Sequence, residues 1–419
     1  MTEFWRAGHT PSLQSASGVQ LKTLVWIGSQ TFPGWHFYFH TLSRLSQFLT
    51  IKQFHFSAIC NNSCPYSPQS HFSSLLSSGP EGAVDLFIGS PMDLSGQDNG
   101  IYRLPLPSSG LTSADNSTST PNNHIKGGLR TMKNNDKWLN VPEFVGTVEV
   151  DDFVYFFFRE VAVDFSNCGR VVHSRVARVC KNDLGGEHKS ILNGTWTTFL
   201  KARLNCSLPG EYPFYYDYIQ SVTYLEEERL FYATFTTAEY VTFFVIELCK
   251  IIQISYSLRN SIVGSAVCSF TLDSIEKSFA GPYKHQLSDT SIWTRVHYGH
   301  SHSQCNSNSS SSVSPATKYQ LMFDAVQPIK APLIRLDLER LSHIAVEVVA
   351  IKNDSSIHAV YLASGEGLVY KYSVSLNKNS PSSQAAYLVE TLHPFDESKI
   401  QLADRKIKTM HFLKPQVFP

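Results

Sequence analysis

The sequence predicts an all-β chain assembled from repeated antiparallel units. That is the pattern of a β-propeller, with a β-sandwich as the other architecture the runs by themselves allow. Three observations carry this reading. Short runs rich in Val, Phe and Tyr come in pairs separated by turn residues, and the pairs recur, starting near positions 84, 153, 230 and 358. Charged residues make up only 17% of the 419, against about 25% in an average soluble chain, while aromatics reach 12%, a mixture that suits a large packed β-protein. Helical signals are few, the best being "LDSIEKSFAG" (Leu272 to Gly281), with Asp273 or Ser274 placed to cap it.

Taken in order, residues 1–59 are aromatic but without a clean period ("WHFYFHTL", "FHFSAI") and are expected to be irregular. The paired runs then begin. "VDLFIGS" is followed by "GIYRLPL", "FVYFFFRE" by "SRVARVC", "LFYATFT" by "SAVCSF", and "HAVYLAS" by "LVYKYSV" across Gly365-Glu366-Gly367. Ser108 to Gly128 and Ser301 to Pro315 are polar, low-complexity stretches that read as exposed loops. Asp151-Asp152 reads as a hairpin tip, and Glu226 to Glu228 as a solvated turn between two strands. Tyr240 to Arg259 ("YVTFFVIELCKIIQISYSLR") is apolar over the length a helix needs to cross a bilayer. Glu247 and Lys250 near its middle oppose spanning, so no membrane span is expected.

Lys plus Arg equals Asp plus Glu at 35 each, so the basic excess a nucleic-acid partner would require is missing. There is no G-x-S-x-G, Walker A or zincin signature, and the acidic residues sit in turns without a distinctive pairing. A carboxylate-based enzyme on a propeller is the rival class. His297, His300, His302 and Cys305 form H-x2-H-x-H-x2-C, which makes a metal protein a second alternative, read against a Ser/His-rich loop; no cofactor is expected. Cys60 and Cys64 lack the second pair a zinc site needs. Asn61, Asn116, Asn193, Asn205, Asn308 and Asn353 each head an N-x-S/T glycosylation triplet, although the opening residues do not form a signal peptide. Arg159-Glu160 closes an apolar strand with side chains on opposite faces, as receptor contacts or, the favoured reading, as structural ion pairs.

Longer stretches resemble a known family. "CPYSPQ" (Cys64 to Gln69), "DNGIYR" (Asp98 to Arg103), "KWLNVPEFVG" (Lys137 to Gly146), "VYFFFRE" (Val154 to Glu160) and "CGRVVHSRVARVCKNDLGG" (Cys168 to Gly186) look like the sema domain of semaphorins. So do "WTTFLKARLNCSLPGEYPFYY" (Trp196 to Tyr216), "SAVCSF", "RLSHIAVEVV" (Arg340 to Val349) and "VYLASGEGLVYKYSV" (Val360 to Val374). "CPYSPQ", "KARLNCSLPGEYPFYY" and "FAGPYKHQ" are most similar to class five semaphorins.

The resemblance implies a seven-bladed propeller that is extracellular or on the cell surface, disulfide-bonded and glycosylated. It implies binding to a plexin receptor ectodomain, with a homodimer as a further expectation, in axon guidance and cell migration and without catalysis. It would pair Cys206 with Cys268 and Cys180 with Cys305, and it leaves Cys60, Cys64, Cys168 and Cys249 without assigned partners. The match covers a partial sema domain over 60–414, with 1–59 unmatched and 415–419 a tail, so about five full blades plus partial ones are expected. A fragment or alternative product of a longer semaphorin follows as an expectation. Removing 240–259 rejoins the family pattern, which makes that stretch an insertion of retained, intron-like sequence at a blade turn inside the Cys206–Cys268 loop.

Overall fold

The computed structural model describes residues 20–25, 37–45, 48–56, 71–78, 84–91, 98–105, 128–165, 171–186, 193–238, 241–243, 256–258, 263–288, 291–297, 305, 318–352, 355–377, 385–395, 400–402, 405–407 and 409–410. The first sheet is an antiparallel array of β1 (Gln20–Val25), β2 (Phe37–Leu45) and β3 (Phe48–Phe56). This corrects the expectation that 1–59 is irregular, since Val25 lies opposite Tyr38 and Leu45 opposite Phe48 in an ordered register. Aromatic and β-branched residues favour strands there. Polar residues at both odd and even positions of each run hide the alternation that would reveal them.

A four-stranded unit follows, made of β4 (Ser73–Ser78), β5 (Val84–Pro91), β6 (Asn99–Pro105) and β7 (Leu129–Arg130). The second unit begins with β8 (Glu143–Val150), β9 (Phe153–Val161), β10 (Val172–Cys180) and β11 (Leu200–Arg203). A short hairpin, β12 (Ser207–Leu208) and β13 (Phe214–Tyr215), leads to β14 (Tyr218–Leu225) and β15 (Leu230–Thr236) of the third unit. Next come a two-stranded ribbon, β16 (Val241–Phe243) and β17 (Tyr256–Leu258), then β18 (Gly264–Thr271) and helix α1 (Leu272–Phe279). An excursion of β19 (Tyr283–Gln286), β20 (Trp293–Val296) and β21 (Leu321–Met322) precedes β22 (Ile334–Asp337), which completes the third unit beside β18. The fourth unit is β23 (Leu341–Lys352), β24 (Ser355–Ser364), β25 (Val369–Asn377) and β26 (Ala385–Leu392). Among the described residues three units are four-stranded sheets, the second is extended beyond β11 by β21, β19 and β20 into a seven-stranded sheet, and the first sheet is three-stranded, beside an expectation of about five full units plus partial ones.

The units stack face to face, and the central strands show why. Val154, Phe156 and Phe158 of β9 pack with Phe87, Ile101 and Trp196 on the side of the first unit. Tyr155 and Phe157, the alternate residues, pack with Ile219, Phe231 and Phe270 of the third. β15 repeats the pattern, with Phe231, Ala233 and Phe235 turned to the second unit and Leu230 and Tyr232 to Val346 and Val360 of the fourth. Burial on both faces explains why these strands read as unbroken apolar runs. Each fully buried Phe contributes about 1.5–3 kcal/mol over an exposed one.

The first strands of successive units lie side by side, β8 between β4 and β14, and β14 next to β23. Ser73 and Thr147 join hydroxyls at 2.7 Å across the first seam, and Thr223 Oγ1 donates to the Ile344 carbonyl at 2.9 Å across the last. The strands also start at the same end. His71, just ahead of β4, lies 3.6 Å from Glu143 at the start of β8. Arg159 near the end of β9 donates to Ile219 O at the start of β14, and Arg340 just ahead of β23 donates to the carbonyls of Thr237 and Ala238 just after β15. Among the described residues one face of the propeller therefore carries the connections from one unit to the next, together with the turn between the second and third strands of the fourth unit, where Gly365 N donates to Arg340 O at 2.7 Å.

Two local features differ in detail from expectation. The helix is capped by Thr271, whose extended backbone lets its hydroxyl accept from Ser274 N at 3.1 Å, while Asp273 lies in the first turn, where the helix dipole favours it. The apolar stretch 240–259 falls in the connection between β15 and β18, the two central strands of the third unit. β15 and β18 pair without it, Thr236 lies opposite Ser265, and Thr237 N donates to Gly264 O at 3.0 Å. Its stem pairs as the β16–β17 ribbon, with Val241 opposite Leu258. Among the described residues no helix is long and apolar enough to cross a membrane.

Candidate functional site: the connection-bearing face

The connections on this face present apolar side chains to solvent. In the β12–β13 hairpin, Pro209 and Gly210 turn the chain and Pro213 interrupts it, so Tyr212 stands 88% exposed between them, with Phe214 and Tyr215 beside it. Phe214 meets Tyr216 edge-on at 5.2 Å, and the Arg203 guanidinium lies 4.9 Å over the Tyr215 ring while pairing with Asp217 at 3.0 Å. Leu338, between β22 and β23, is 84% exposed with φ 65°. Val141, ahead of β8, is 51% exposed with φ 49°, a left-handed conformation that is a true outlier for a β-branched residue. Such a backbone costs on the order of 1–3 kcal/mol and persists where its surroundings over-determine it. Here Asn140 is held on both sides, its N–H donating to Glu160 Oε2 at 3.1 Å and its carbonyl accepting from Val161 N at 3.0 Å.

Beneath this face lies a buried ionic network. Glu160 Oε1 accepts from Lys201 Nζ at 2.6 Å and Arg175 Nε at 3.1 Å, all three side chains being sealed from solvent. Arg175 also donates to Asp164 Oδ1 at 2.6 Å, and Asp164 Oδ2 accepts from Lys284 of the excursion at 2.8 Å. Burial would raise the Asp164 carboxyl, but Arg175 and Lys284 overrule it and hold it well below the usual carboxylate range. Burial, reinforced by Arg175 and Arg203, pushes the neighbouring His173 down to about 3. Burial likewise lowers Lys201, against the pull of Glu160. Arg159, on the opposite side of β9, pairs with Glu143 and donates to Ile219 O at 2.8 Å and Gln220 Oε1 at 2.9 Å, stitching the second unit to the third. Arg159 and Glu160 are thus structural ion pairs, and the network ties the second unit to the excursion.

The other residues singled out from sequence fall as follows. Cys206 is bonded to Cys268 and Cys180 to Cys305, the second bridge fastening the excursion to the end of β10. Cys305 therefore offers no thiolate to a metal. His297 follows β20, while His300 and His302 lie outside the described residues, as do Cys60, Cys64, Cys168, Cys249, Asn61, Asn116, Asn308 and Asn353. Among the described residues no three His, Cys, Asp or Glu are grouped to hold a metal. Asn193 is exposed, whereas the half-buried Asn205 donates its amide to Gln327 Oε1 at 2.8 Å. Glu226 and Glu227 are solvated, but Glu228 turns inward to lie 3.0 Å from the buried His358, which also meets the Tyr232 hydroxyl at 2.9 Å. Sequence reading missed this cluster, because its partners are 126 residues apart in the chain. It also passed over the exposed aromatics of the β12–β13 hairpin, which the flanking prolines and glycine could have signalled.

A propeller of antiparallel units with a disulfide-pinned excursion defines the class of architecture; the comparisons identify the family. The Sema domain family model matches residues 219–405. Semaphorin 5c of Drosophila melanogaster is 40% identical over 313 residues, covering 74% of this chain and 25% of the relative. Semaphorin-5A of Homo sapiens is 39% identical over 345 residues, covering 80% of this chain and 28% of the relative. Among solved structures, a chain of Drosophila Plexin A in complex with Semaphorin 1b superposes with a TM-score of 0.63 at 25% identity, covering 93% of this chain and 80% of that one. The chain carries a semaphorin sema domain and is similar to class five semaphorins. It spans about a quarter of the length of the curated relatives it matches.

Proposed function

We propose that this chain is an extracellular guidance and signalling module that docks a plexin-class receptor through its propeller and performs no catalysis. The observation that carries the reading is the sema propeller itself, which shares its fold with a chain of a solved plexin–semaphorin complex. The exposed Tyr212, Phe214, Tyr215, Val141 and Leu338 on the connection-bearing face support it. Tyr, and aromatic side chains generally, are enriched in interface hot spots. The Cys180–Cys305 and Cys206–Cys268 bridges suit an oxidising compartment. The sema domain extends over 60–414 in this reading, and self-association into a homodimer accompanies it. The test is binding of the folded chain to a panel of plexin ectodomains, with sedimentation to read its oligomeric state. Saturable binding to one or more receptors is expected, and a folded chain that binds none of them overturns the reading.

A further inference from the structure

We propose that the cavity between the β24–β25 turn and the chain that follows β26 receives a single aromatic side chain of a partner protein. The identity of the partner rests on the receptor reading above; the ring-binding site does not. The cavity measures about 180 Å³ and opens beside the turn on the connection-bearing face. The turn forms one wall and is held rigidly. Ser364 is sealed from solvent, its Oγ accepts from Glu366 N and Leu368 N at 3.2 Å each, and its N–H donates to Leu368 O at 2.8 Å. Leu392, the last residue of β26, lies opposite Val369, so the chain leaves β26 next to this turn. It then folds back onto Gly367, which has φ +86° and where a Cβ would collide with the Arg405 carbonyl and press on the Phe395 ring. Only glycine admits so close an approach. Arg405 fastens the far wall, its Nε donating to Ile400 O at 2.9 Å and its N–H to Leu402 O at 3.3 Å.

Phe395, Leu368 and Leu402 give the cavity its apolar surface, and Leu402 at its mouth is 55% exposed. The volume sets the size of the guest. An engineered apolar cavity of about 150 Å³ binds benzene, so this one takes one ring. Sites for free small molecules run to about 300–1,000 Å³, so the ring belongs to a side chain held by the rest of a docked protein surface. Such a surface adjoins the cavity. Gly365 of the turn is bonded to the Arg340 carbonyl, and Leu338, two residues earlier, is among the most exposed apolar side chains of this face. The polar margin sets the chemistry. Arg405 and His393 stand there with Glu366, and a guanidinium is drawn to the electron-rich face of an aromatic ring as it is not to an aliphatic chain.

The full chain, isotopically labelled at its leucine methyls, is titrated with N-acetyl-phenylalanine amide, N-acetyl-tyrosine amide and N-acetyl-leucine amide. The Leu368 and Leu402 methyl resonances are followed by NMR. Saturable shifts are expected with the two aromatic amides, which should bind about threefold or more tighter than the leucine amide, the margin an aromatic contact adds. Leu402→Ala should weaken that binding, read at Leu368, with the melting temperature unchanged. Gly367→Ala should abolish it by displacing Arg405 and Phe395. No saturable shift with either aromatic amide, or equal binding of all three, overturns the proposal. A chain that binds the aromatic amides but no plexin ectodomain keeps this site and loses the receptor reading alone.

Discussion

Replacing Glu160 by Gln removes the anion that Lys201 and Arg175 share. The substitution keeps the shape of the side chain and discards only its charge. In the native network three cations, Arg175, Lys201 and Lys284, face two anions, Glu160 and Asp164; afterwards three face one. Lys201 has no other ion-pair partner within the network and its side chain is sealed from solvent. Breaking a buried pair from one side costs about 3–5 kcal/mol, because the abandoned charge stays desolvated. With about 2.1 cal/mol/K per residue of unfolding entropy, a chain of this length changes by about 0.9 kcal/mol per degree, so Tm should fall by roughly 3–6 °C at fixed scan rate. The companion variant Lys201→Met tests the cause. Glu160→Gln with Lys201→Met should be less destabilised than the sum of the two, by about 0.5–3 kcal/mol. A fall below about 1 °C for Glu160→Gln, or strict additivity in the pair, would refute the claim that this ion pair holds the second unit together.

Three further outcomes follow from the same structure. His173 is neutral when folded, with its pKa pushed down to about 3, so below about pH 6.5 the unfolded chain takes up a proton that the folded one refuses. Stability should therefore drop by about 2 kcal/mol between pH 6.5 and 5 on this account, and His173→Gln should flatten that slope in denaturant titrations. Cys206→Ser opens a bridge across 62 residues, and the chain-entropy relation gives a loss of about 4 kcal/mol, read as a lower unfolding midpoint without reductant. Deleting 240–259 should preserve the fold, because Thr236 already faces Ser265, and should raise the secreted yield by removing an apolar, β-prone surface; an unfolded deletion variant would show that the ribbon is integral.

Much of the fold is legible because the units are local. The paired runs at 84, 153, 230 and 358 are the second and third strands of successive units, adjacent in the sheet as well as in the chain, and only the pair at 230 is parted by a long insertion. The all-apolar run 153–158 also reads correctly, since β9 has a neighbouring unit on each side. What stays hidden depends on residues far apart. Glu228 looks like its two solvated neighbours, and only the fold brings His358 beside it. Val141 gives no sign of its left-handed backbone, which follows from the grip of Glu160 on Asn140. The sheet at 20–56 escapes because its strands mix polar residues into both faces. The candidate face was half visible. The turn residues of "SLPGEYPFYY" predict exposure, but which end of the propeller they occupy emerges only once the inner strands are seen side by side.

The central claim, that the connection-bearing face docks a plexin-class receptor, is tested most directly by one comparison. The folded chain and its Tyr212→Ala variant are titrated against plexin ectodomains by surface plasmon resonance, with melting curves recorded for both. The account predicts saturable binding by the parent and at least about tenfold weaker binding by the variant, as truncating a hot-spot aromatic implies. The highly exposed Tyr212 should leave the melting temperature unchanged. Equal affinity of the two proteins would contradict the assignment of this face, and no binding by either, with both folded, would contradict the function.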